Sequence, residues 1–364
     1  MGSLTNNSTK IEGSGAPVDD ISRSASDDAP NDDEHDEREQ VESASIALPA
    51  HVAGSGTLDR LIDTARGYAE ASTAENTNKA YAADWKHFTR WCRLKGTEPL
   101  PPSPEMIGLY LADLAAPSGP SPALSVTTIE RRLSGLAWHY QQRGVMLDRK
   151  DRHIATVLAG IKRQHAKPPV QKEPIAPDEL LEMVATLSHS LRDLRDRAIL
   201  LVGYAGGFRR SEIVALDVNR DDTLDGKGWI EIETDGAVVI QQTKTGWKEA
   251  EIGRGSSEAS CPVHALEQWL HYAKIDQGPV FRRVLRDNSK VQEARLSDKH
   301  VARLIKKTML DAGLRADIPE KDRLKLFSGH SLRAGLASYA EVDERYVQKQ
   351  LGHASAEMTR RYQR

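Results

Sequence analysis

The sequence predicts a mostly α-helical protein with one small antiparallel β-sheet, arranged as two folded domains behind a disordered tail. Three observations predict this class. Apolar residues recur at three- and four-residue steps over much of the chain after Thr57, as on one face of a helix. One short stretch contains an Asp-Gly pair between two runs of β-formers, which is typical of a hairpin. The length of 364 residues is enough for about two domains.

Residues 1–56 are predicted to be a disordered acidic tail. Residues 1–50 hold twelve acidic and three basic side chains, and so polar a segment buries too little apolar surface to offset the entropy of ordering. An arm that competes with nucleic acid and a simple solubilising leader both fit, with the leader favoured. The remaining residues carry 47 basic and 41 acidic side chains, and this modestly basic balance permits a polyanionic partner.

Several protein classes are excluded by what the sequence does not contain. No apolar run approaches the ~18 residues that span a bilayer, and the N-terminus is not of signal-peptide type, so we expect a cytosolic protein without membrane contact. Cys92 and Cys261 lie far apart and are expected to be reduced, structural thiols, which excludes a disulfide scaffold or a zinc finger. No P-loop or dinucleotide glycine fingerprint occurs.

Residues 57–164 are predicted to form an all-helical domain, with helical segments that begin near Leu58, Thr73, Pro104, Ser125 and Asp151. Residues 165–175 contain three prolines and no periodicity, so we expect a linker. Basic side chains on or beside it fit a phosphate backbone and an ordinary solvated linker equally well; they include Lys162, Arg163 and Lys167. In the segment that begins at Ser125, Arg131 and Arg132 are expected on the polar face.

Residues 176–364 are predicted to form an α+β domain. Its strands are Trp229–Glu233 and Val238–Gln242, joined at Asp235-Gly236, and a third strand from Trp247 to Ile252, which together give a three-stranded meander. The predicted helices run from Pro177 to about Leu187, around Leu194 to Tyr204, and near Pro262–Ala273, Ser297–Ala312, His330–Ala340 and Asp343–Leu351.

Two polar positions follow the apolar helix that ends near Tyr204. Arg209 and Glu212 are three residues apart at the start of a new helix, so they share a face. A structural ion pair and a ligand-binding arginine both fit this pattern. Taken by itself, the pattern favours the structural ion pair. Lys244 occupies the tip of the second turn, where it can reach a cleft and exchange a proton, and Lys248 is a near competitor.

Two further positions lie near the end of the sequence. His330 and Arg333 sit at i and i+3 at a helix start, where free N–H groups favour an anion. Tyr362 follows His353 by nine residues, which an unbroken helix would place on opposite faces, so a break at Gly352 is required. Two arginines, a lysine, two histidines and a tyrosine can together transfer a phosphoryl group without a metal, with the tyrosine as nucleophile.

These residues resemble the tyrosine recombinase family, which includes phage integrases and Xer-type site-specific recombinases. The matching boxes are Gly207-Phe208-Arg209-Arg210-Ser211-Glu212, Lys244 in Thr-Lys-Thr-Gly, His330 with Arg333, Leu351-Gly352-His353, and Tyr362. Residues 57–364 fall within the resemblance. It implies a helical core-binding domain and an α+β catalytic domain that form a C-shaped clamp on duplex DNA, in the cytoplasm at the bacterial nucleoid.

The resemblance also implies roles. Tyr362 would attack a scissile phosphate to give a 3′-phosphotyrosyl link, Arg209 and Arg333 would clamp the non-bridging oxygens, and Lys244 would protonate the leaving 5′-oxygen. His330 would assist proton transfer, His353 would hydrogen-bond the phosphate, and Glu212 would orient the site. No cofactor or metal is implied. The implied partners are double-stranded DNA, a homotetramer on two DNA sites, and possible accessory DNA-bending proteins. Contact with DNA phosphates and a place on an ordinary solvated helix face are both open for five basic residues: Arg131, Arg132, Arg303, Lys306 and Lys307.

The leading functional hypothesis is a recombinase that integrates, excises or resolves a mobile element. A type IB topoisomerase or a telomere resolvase would use the same residues. A DNA-binding or architectural protein without catalysis is a third hypothesis, but binding alone would not require all six of these polar residues. The sequence ends two residues after Tyr362, where family members usually continue with a helix that packs on a neighbouring protomer, which predicts a different assembly or a truncated C-terminus.

Overall fold

The computed structural model describes residues 61, 63–65, 67–68, 75–168, 170–243, 246–340 and 344–351. The chain divides into two compact units that meet between Lys167 and Pro168, within the predicted linker. The predicted acidic tail, residues 1–56, lies outside the described residues. Residues 61, 63–65 and 67–68 are helical, in the region where the first helix was expected.

The first unit is helical, as expected. Its helices are α1 (Glu75–Lys95), α2 (Pro104–Ala115), α3 (Val126–Gln142) and α4 (Arg152–His165). Three of the helices begin after a capping side chain that accepts a hydrogen bond from the first turn; the caps are Ser103, Ser125 and Asp151. The predicted starts near Pro104, Ser125 and Asp151 are therefore confirmed to within one residue.

Aromatic side chains form much of the core of the first unit. Phe88, Trp91 and Tyr110 pack on each other, with ring centroids 5.0–6.3 Å apart, and each contact between rings adds to the burial of apolar area. Their polar atoms are satisfied where they occur: the Trp91 indole N–H donates to Asp113 at 2.7 Å. Cys92 is buried in this core, and both Cys92 and Cys261 are free thiols.

The second unit combines helices with two small sheets. Its helices are α5 (Pro177–Ala185), α6 (Leu191–Ala205), α7 (Arg210–Val214), α8 (Pro262–Ala273), α9 (Asp298–Asp311), α10 (Glu320–Leu326), α11 (Ser331–Tyr339) and α12 (Glu344–Leu351). Its strands are β1 (Leu216–Asp217), β2 (Gly228–Ile232), β3 (Gly236–Thr243), β4 (Gly246–Gly253), β5 (Arg282–Val284) and β6 (Val291–Arg295). The apolar helix α6 lies at the centre of the core, with Ala198, Ile199 and Leu200 fully buried.

The sheets are more extensive than the sequence predicts. The antiparallel β2-β3-β4 meander is confirmed, but β1 adds a fourth strand that runs parallel to β2. Strands β5 and β6 form a second, two-stranded sheet. A two-residue strand is too short to show alternation. In β6 three of the five residues are exposed, so that strand lacks the apolar pattern on which the prediction depends.

The end of the predicted linker belongs to the second unit. The backbone N–H of Glu173 donates to Leu326 at 3.0 Å, and that of Ile175 donates to Ser331 at 3.2 Å. The side chain of Ile175 is fully buried. Helix α10 was likewise not predicted, because none of its residues is buried and it therefore has no apolar face. Among the described residues, no helix is long and apolar enough to cross a membrane.

Candidate active site

Arg209 is fixed at the start of helix α7 by Glu212. One carboxylate oxygen of Glu212 accepts the backbone N–H of Arg209 at 2.8 Å, and the other accepts a guanidinium N–H of the same residue at 2.5 Å. The predicted ion pair is therefore present. The Arg209 side chain is still 35% exposed, against 11% for Glu212, so the guanidinium keeps an open edge that can bind an anion.

Gly207 allows the chain to turn sharply between helices α6 and α7. Its φ of +59° lies in the left-handed region, and a Cβ atom there would lie 2.5 Å from Leu351 and 2.8 Å from Leu336. Only glycine fits both the conformation and the space. The turn buries Phe208 completely and presents the carbonyl group of Gly207 to the interior, where Arg333 binds it.

Arg333 is the buried cation of the site, with a relative exposure of 1%. Its guanidinium donates to the carbonyl oxygen of Gly207 at 2.7 Å and to that of Leu351 at 2.6 Å. These bonds join three segments that are distant in sequence: the turn before α7, helix α11 and the end of α12. Arg333 thereby lies beside the Gly207-to-Glu212 segment, as the sequence hypothesis requires.

His330 occupies the cap position of helix α11. The turn that carries it is held by a hydrogen bond from the Ser328 backbone N–H to the Ser331 hydroxyl at 3.0 Å. Gly329 leaves room for the side chain of Arg210, because a Cβ atom there would collide with it. Surrounding protein atoms and the positive charges of nearby arginines lower the pKa of His330, so its imidazole is neutral at pH 7; these arginines are Arg333, Arg209 and Arg210.

Lys248 joins this site from strand β4. Its ammonium nitrogen lies 5.3 Å from the centroid of the Phe208 ring. Burial, and then the charges of Arg333 and Arg209, lower its pKa to about 8, while Glu212 opposes the shift. The sequence analysis names Lys248 only as a competitor of Lys244. The period of two along β4, which points positions 248, 250 and 252 to one face, is the signal that finds it.

Gln350 is a second residue that the sequence analysis missed. Its side-chain amide donates to the backbone carbonyls of Ala205 at 3.3 Å and Glu251 at 2.9 Å. Helix α12 is thus attached to the end of α6 and to β4, immediately before the Leu351-Gly352-His353 box. Three of the predicted catalytic residues, Lys244, His353 and Tyr362, lie outside the described residues.

The predicted DNA contacts of the first unit differ in how they are held. Arg131 forms a two-pronged ion pair with the buried Asp84. Arg132 is directed inward, contrary to its expected place on the polar face: its side chain is 16% exposed and donates to the Tyr110 hydroxyl at 3.1 Å. Lys162 pairs with Glu130 at 2.5 Å, whereas Arg163 and Lys167 are exposed. All five stay predictions as DNA contacts.

In the second unit, the predicted DNA contacts lie on helix α9. Arg303 and Lys307 are exposed and Lys306 is half-buried. Lys307 pairs with Asp311 one turn later at 2.5 Å, which is a common arrangement on a solvated helix face. Phosphate contact by these three residues stays a prediction.

The site can bind and polarise an anion. The charged groups that shift the pKa of His330 are three arginines and one carboxylate, that of Glu212. Guanidinium groups suit the oxygens of a phosphate because they offer two parallel N–H donors. A neutral imidazole beside them can accept a proton. This arrangement favours a phosphate as ligand and proton transfer as chemistry.

Comparison with known proteins gives consistent matches. Residues 173–364 match the model of the phage integrase family. The chain is 34% identical over 320 residues to an integrase/recombinase XerD homolog of Selenomonas ruminantium, which covers 84% of this chain and 86% of that protein. It is 25% identical over 299 residues to tyrosine recombinase XerC of Thermodesulfovibrio yellowstonii, with 79% and 85% covered. Recombinase Cre of Escherichia phage P1 is 23% identical over 303 residues, with 80% and 83% covered.

Solved structures of similar chains include a XerH site-specific recombinase bound to its difH substrate, with a TM-score of 0.48 and 17% identity over 79% of this chain and 76% of that one. The Tn1549 transposon integrase in complex with transposon right-end DNA has a TM-score of 0.47 and 15% identity, over 80% and 89%.

Proposed function

The chain belongs to the phage integrase family of tyrosine recombinases and is a site-specific recombinase, and from this premise we propose that it cuts and rejoins DNA through a covalent bond to Tyr362. The observation that carries the proposal is the meeting of Arg209, His330 and Arg333 at one basic site. Arg209 lies more than 100 positions before His330 and Arg333 in the sequence, and a common ligand explains why the fold brings them together.

In the proposed reaction, the hydroxyl oxygen of Tyr362 attacks the phosphorus atom, and the bond from phosphorus to the 5′-oxygen breaks. A 3′-phosphotyrosyl link and a free 5′-hydroxyl result. His330 takes the phenol proton, which its lowered pKa supports because the neutral imidazole is the accepting form. Lys244 gives a proton to the leaving 5′-oxygen. The covalent link preserves a phosphodiester, so rejoining is the same step in reverse.

Arg209 and Arg333 bind the non-bridging oxygens and stabilise the charge that develops on them. Glu212 orients Arg209, as its two hydrogen bonds to that residue support. His353 adds a hydrogen bond to the phosphate. We assign residues 57–164 to the core-binding domain and residues 176–364 to the catalytic domain.

We further propose that the substrate is duplex DNA and that four protomers act on two sites to integrate, excise or resolve a mobile element. The names of the relatives support this: one is an integrase/recombinase and another a phage recombinase. Accessory DNA-bending proteins are compatible with the same assembly.

Trapping of covalent protein–DNA complexes on genomic DNA tests the proposal, with the attached fragments sequenced. Wild type and Tyr362→Phe are compared, and Tyr346→Phe is the matched control because Tyr346 is an exposed tyrosine of helix α12. Adducts at a few discrete sites are expected for wild type and the control, and none for Tyr362→Phe.

Three other outcomes contradict the proposal. Adducts scattered over the genome would indicate a topoisomerase. Intact DNA binding without any adduct would indicate a protein that binds DNA without cutting it. Adducts that persist in Tyr362→Phe would transfer the role of nucleophile to another residue.

A further inference from the structure

A buried glutamine and a half-buried lysine face each other across strands β3 and β4. Gln241 and Lys248 are direct partners in the strand register, and Gln241 is 1% exposed. The amide nitrogen of Gln241 and the ammonium nitrogen of Lys248 are both buried without a hydrogen-bond partner within the described part of the chain. A buried donor that has lost its water and found no acceptor destabilises the folded state, and a charged donor does so most.

These donors lie on the inward face of the sheet. Their neighbours on β3 and β4, Val239, Ala250 and Ile252, are buried and apolar, so a lysine at position 248 is unexpected on packing grounds. A methionine of similar length would fill the same space without an uncompensated charge. Packing therefore does not explain why a lysine occupies this place.

The surroundings of Lys248 indicate what its ammonium group is for. The nitrogen lies over the ring of Phe208, the residue before Arg209. The charged groups that act on it are Arg333 from helix α11 and Arg209 and Glu212 from the start of α7. Two of these three are cations, which repel an ammonium group unless an anion separates them. The lysine side chain is flexible enough to bring its ammonium group from the ring to an anion beside Arg209.

We propose that Lys248 is a further active-site residue, whose ammonium group, with the side-chain amide of Gln241 beside it, hydrogen-bonds the scissile phosphate when DNA is bound. The inference rests on the proposed function, because it takes the ligand of Arg209 and Arg333 to be that phosphate. Lys248 adds to the role proposed for Lys244 and does not replace it. Among the described residues these two donors are unsatisfied without DNA, and the substrate satisfies them.

The first test measures the stability of the DNA-free protein. Lys248→Met removes a buried, unpartnered charge, so its melting temperature is expected to rise by a few degrees, whereas a structural lysine would leave a less stable protein when removed. Lys227→Met is the control, because Lys227 is an exposed lysine immediately before strand β2 of the same sheet. Its melting temperature is expected to stay unchanged.

The second test measures single-turnover adduct formation on a duplex that carries a site recovered in the genomic trapping experiment. Lys248→Met is expected to slow adduct formation at least tenfold while its Kd for the duplex stays within a few-fold of wild type. Lys248→Arg, which keeps the charge, is expected to retain most of the rate. The wild-type rate is expected to decline above about pH 8, because Lys248 loses its proton there. The rate of Lys248→Arg is expected to persist, because an arginine stays protonated.

The outcomes separate the two proposals. If wild type forms no adduct, the proposed function fails, and the inference, which rests on it, fails with it. If wild type forms adducts and Lys248→Met forms them equally fast, the proposed function stands and the inference is overturned. A lower melting temperature with loss of adducts in both Lys248→Met and Lys248→Arg would make Lys248 structural and would also overturn it.

Discussion

Each unit of the protein contains a pair of arginines, and the two pairs are held in opposite ways. In the first unit, Arg131 and Arg132 lie within 4 Å of the carboxylate of Asp84, which is 2% exposed. In the second unit, Arg333 donates to two backbone carbonyls, which carry no net charge. Arg209 forms an ion pair with one carboxylate, that of Glu212, and 35% of its side chain stays exposed.

The difference separates structural arginines from the arginines proposed to bind phosphate. In the first unit the buried carboxylate of Asp84 contacts both arginines, and its bond to Arg131 links helices α1 and α3. In the second unit the Glu212 carboxylate contacts Arg209, whose side chain keeps an exposed edge that an anion can reach, and Arg333 donates to carbonyl oxygens. The clusters therefore differ in how many arginines the carboxylate contacts, not in their number of charges.

The largest test of this contrast is a pair of Arg→Lys substitutions. Arg333→Lys is expected to slow adduct formation by about 10²–10³-fold, because an ammonium group cannot bond both carbonyls and also present a fork to a phosphate. Arg131→Lys is expected to change the rate by less than about threefold, since that cation is already paired. Single-turnover kinetics measure both, and similar losses in the two variants would contradict the contrast.

The backbone that carries the two arginines proposed to be catalytic gives the next effect. Gly207→Ala is expected to lower the free energy of unfolding by about 2–4 kcal/mol, because it adds left-handed strain to a close contact with Leu351. Gly144→Ala in the first unit is the matched control. Its φ is +71° but nothing lies within 4 Å of the added carbon, so it is expected to cost about 1 kcal/mol.

Hydrogen exchange followed by mass spectrometry assigns each loss to its unit. Gly207→Ala is expected to increase exchange in helices α11 and α12, where its clashing neighbours Leu336 and Leu351 lie. Equal costs for the two glycine variants would show that the close contact at Gly207 relaxes without penalty.

Removal of the Asp84 carboxylate is expected to change the stability of the protein and not the rate of adduct formation. Asp84→Ala is expected to lower the free energy of unfolding by about 1–3 kcal/mol, less than a fully buried pair would lose, because the Arg131 side chain is 43% exposed. Asp84→Asn is expected to lose less, since its amide oxygen still accepts from Arg131. Urea unfolding followed by tryptophan fluorescence measures the change, and a more stable Asp84→Ala would contradict a structural role.

A smaller effect concerns pH. His330 is proposed to accept a proton, so activity is present above its pKa and is lost as the pH falls through it. In wild type the lowered pKa places this loss below pH 6.5. Arg210→Gln removes one of the charges that lower the pKa, so the loss is expected to move to higher pH and to cost activity severalfold at pH 6.

The pH–rate profile of adduct formation checks this prediction. Arg283→Gln is the control, because it removes the same charge from an exposed position on strand β5, and its profile is expected to match wild type. A shift of the Arg210→Gln profile to lower pH would contradict the assignment of His330 as the proton acceptor.

The sequence predicted those features that depend on local pattern. Apolar periodicity located most of the helices, capping residues such as Ser125 located their starts, and the Asp235-Gly236 turn located the β2-β3 hairpin. The boxes around Arg209 and Arg333 identified two cations that the structure brings together. Contacts between distant segments were not predictable in the same way: nothing local reveals that Leu351 accepts from Arg333 or that Arg132 turns inward to Tyr110.

The smallest prediction applies the contrast to two adjacent cations near the end of helix α4. Lys162 is paired with Glu130 at 2.5 Å, whereas Arg163 has no ion-pair partner in the described ranges of the chain. Each phosphate contact lowers the slope of log affinity against log salt by about 0.9. Arg163→Gln is expected to remove that full amount on nonspecific duplex DNA, and Lys162→Gln less, because its ammonium group must first give up a carboxylate.

Glu130→Gln is the control for this pair, since it releases Lys162 without removing a cation. Glu130→Gln is expected to strengthen DNA binding at low salt. When Lys162→Gln is added to Glu130→Gln, it is expected to change the salt slope as much as Arg163→Gln does. Fluorescence anisotropy at several salt concentrations measures the slopes. If both basic variants leave the slope unchanged, helix α4 does not contact the phosphate backbone.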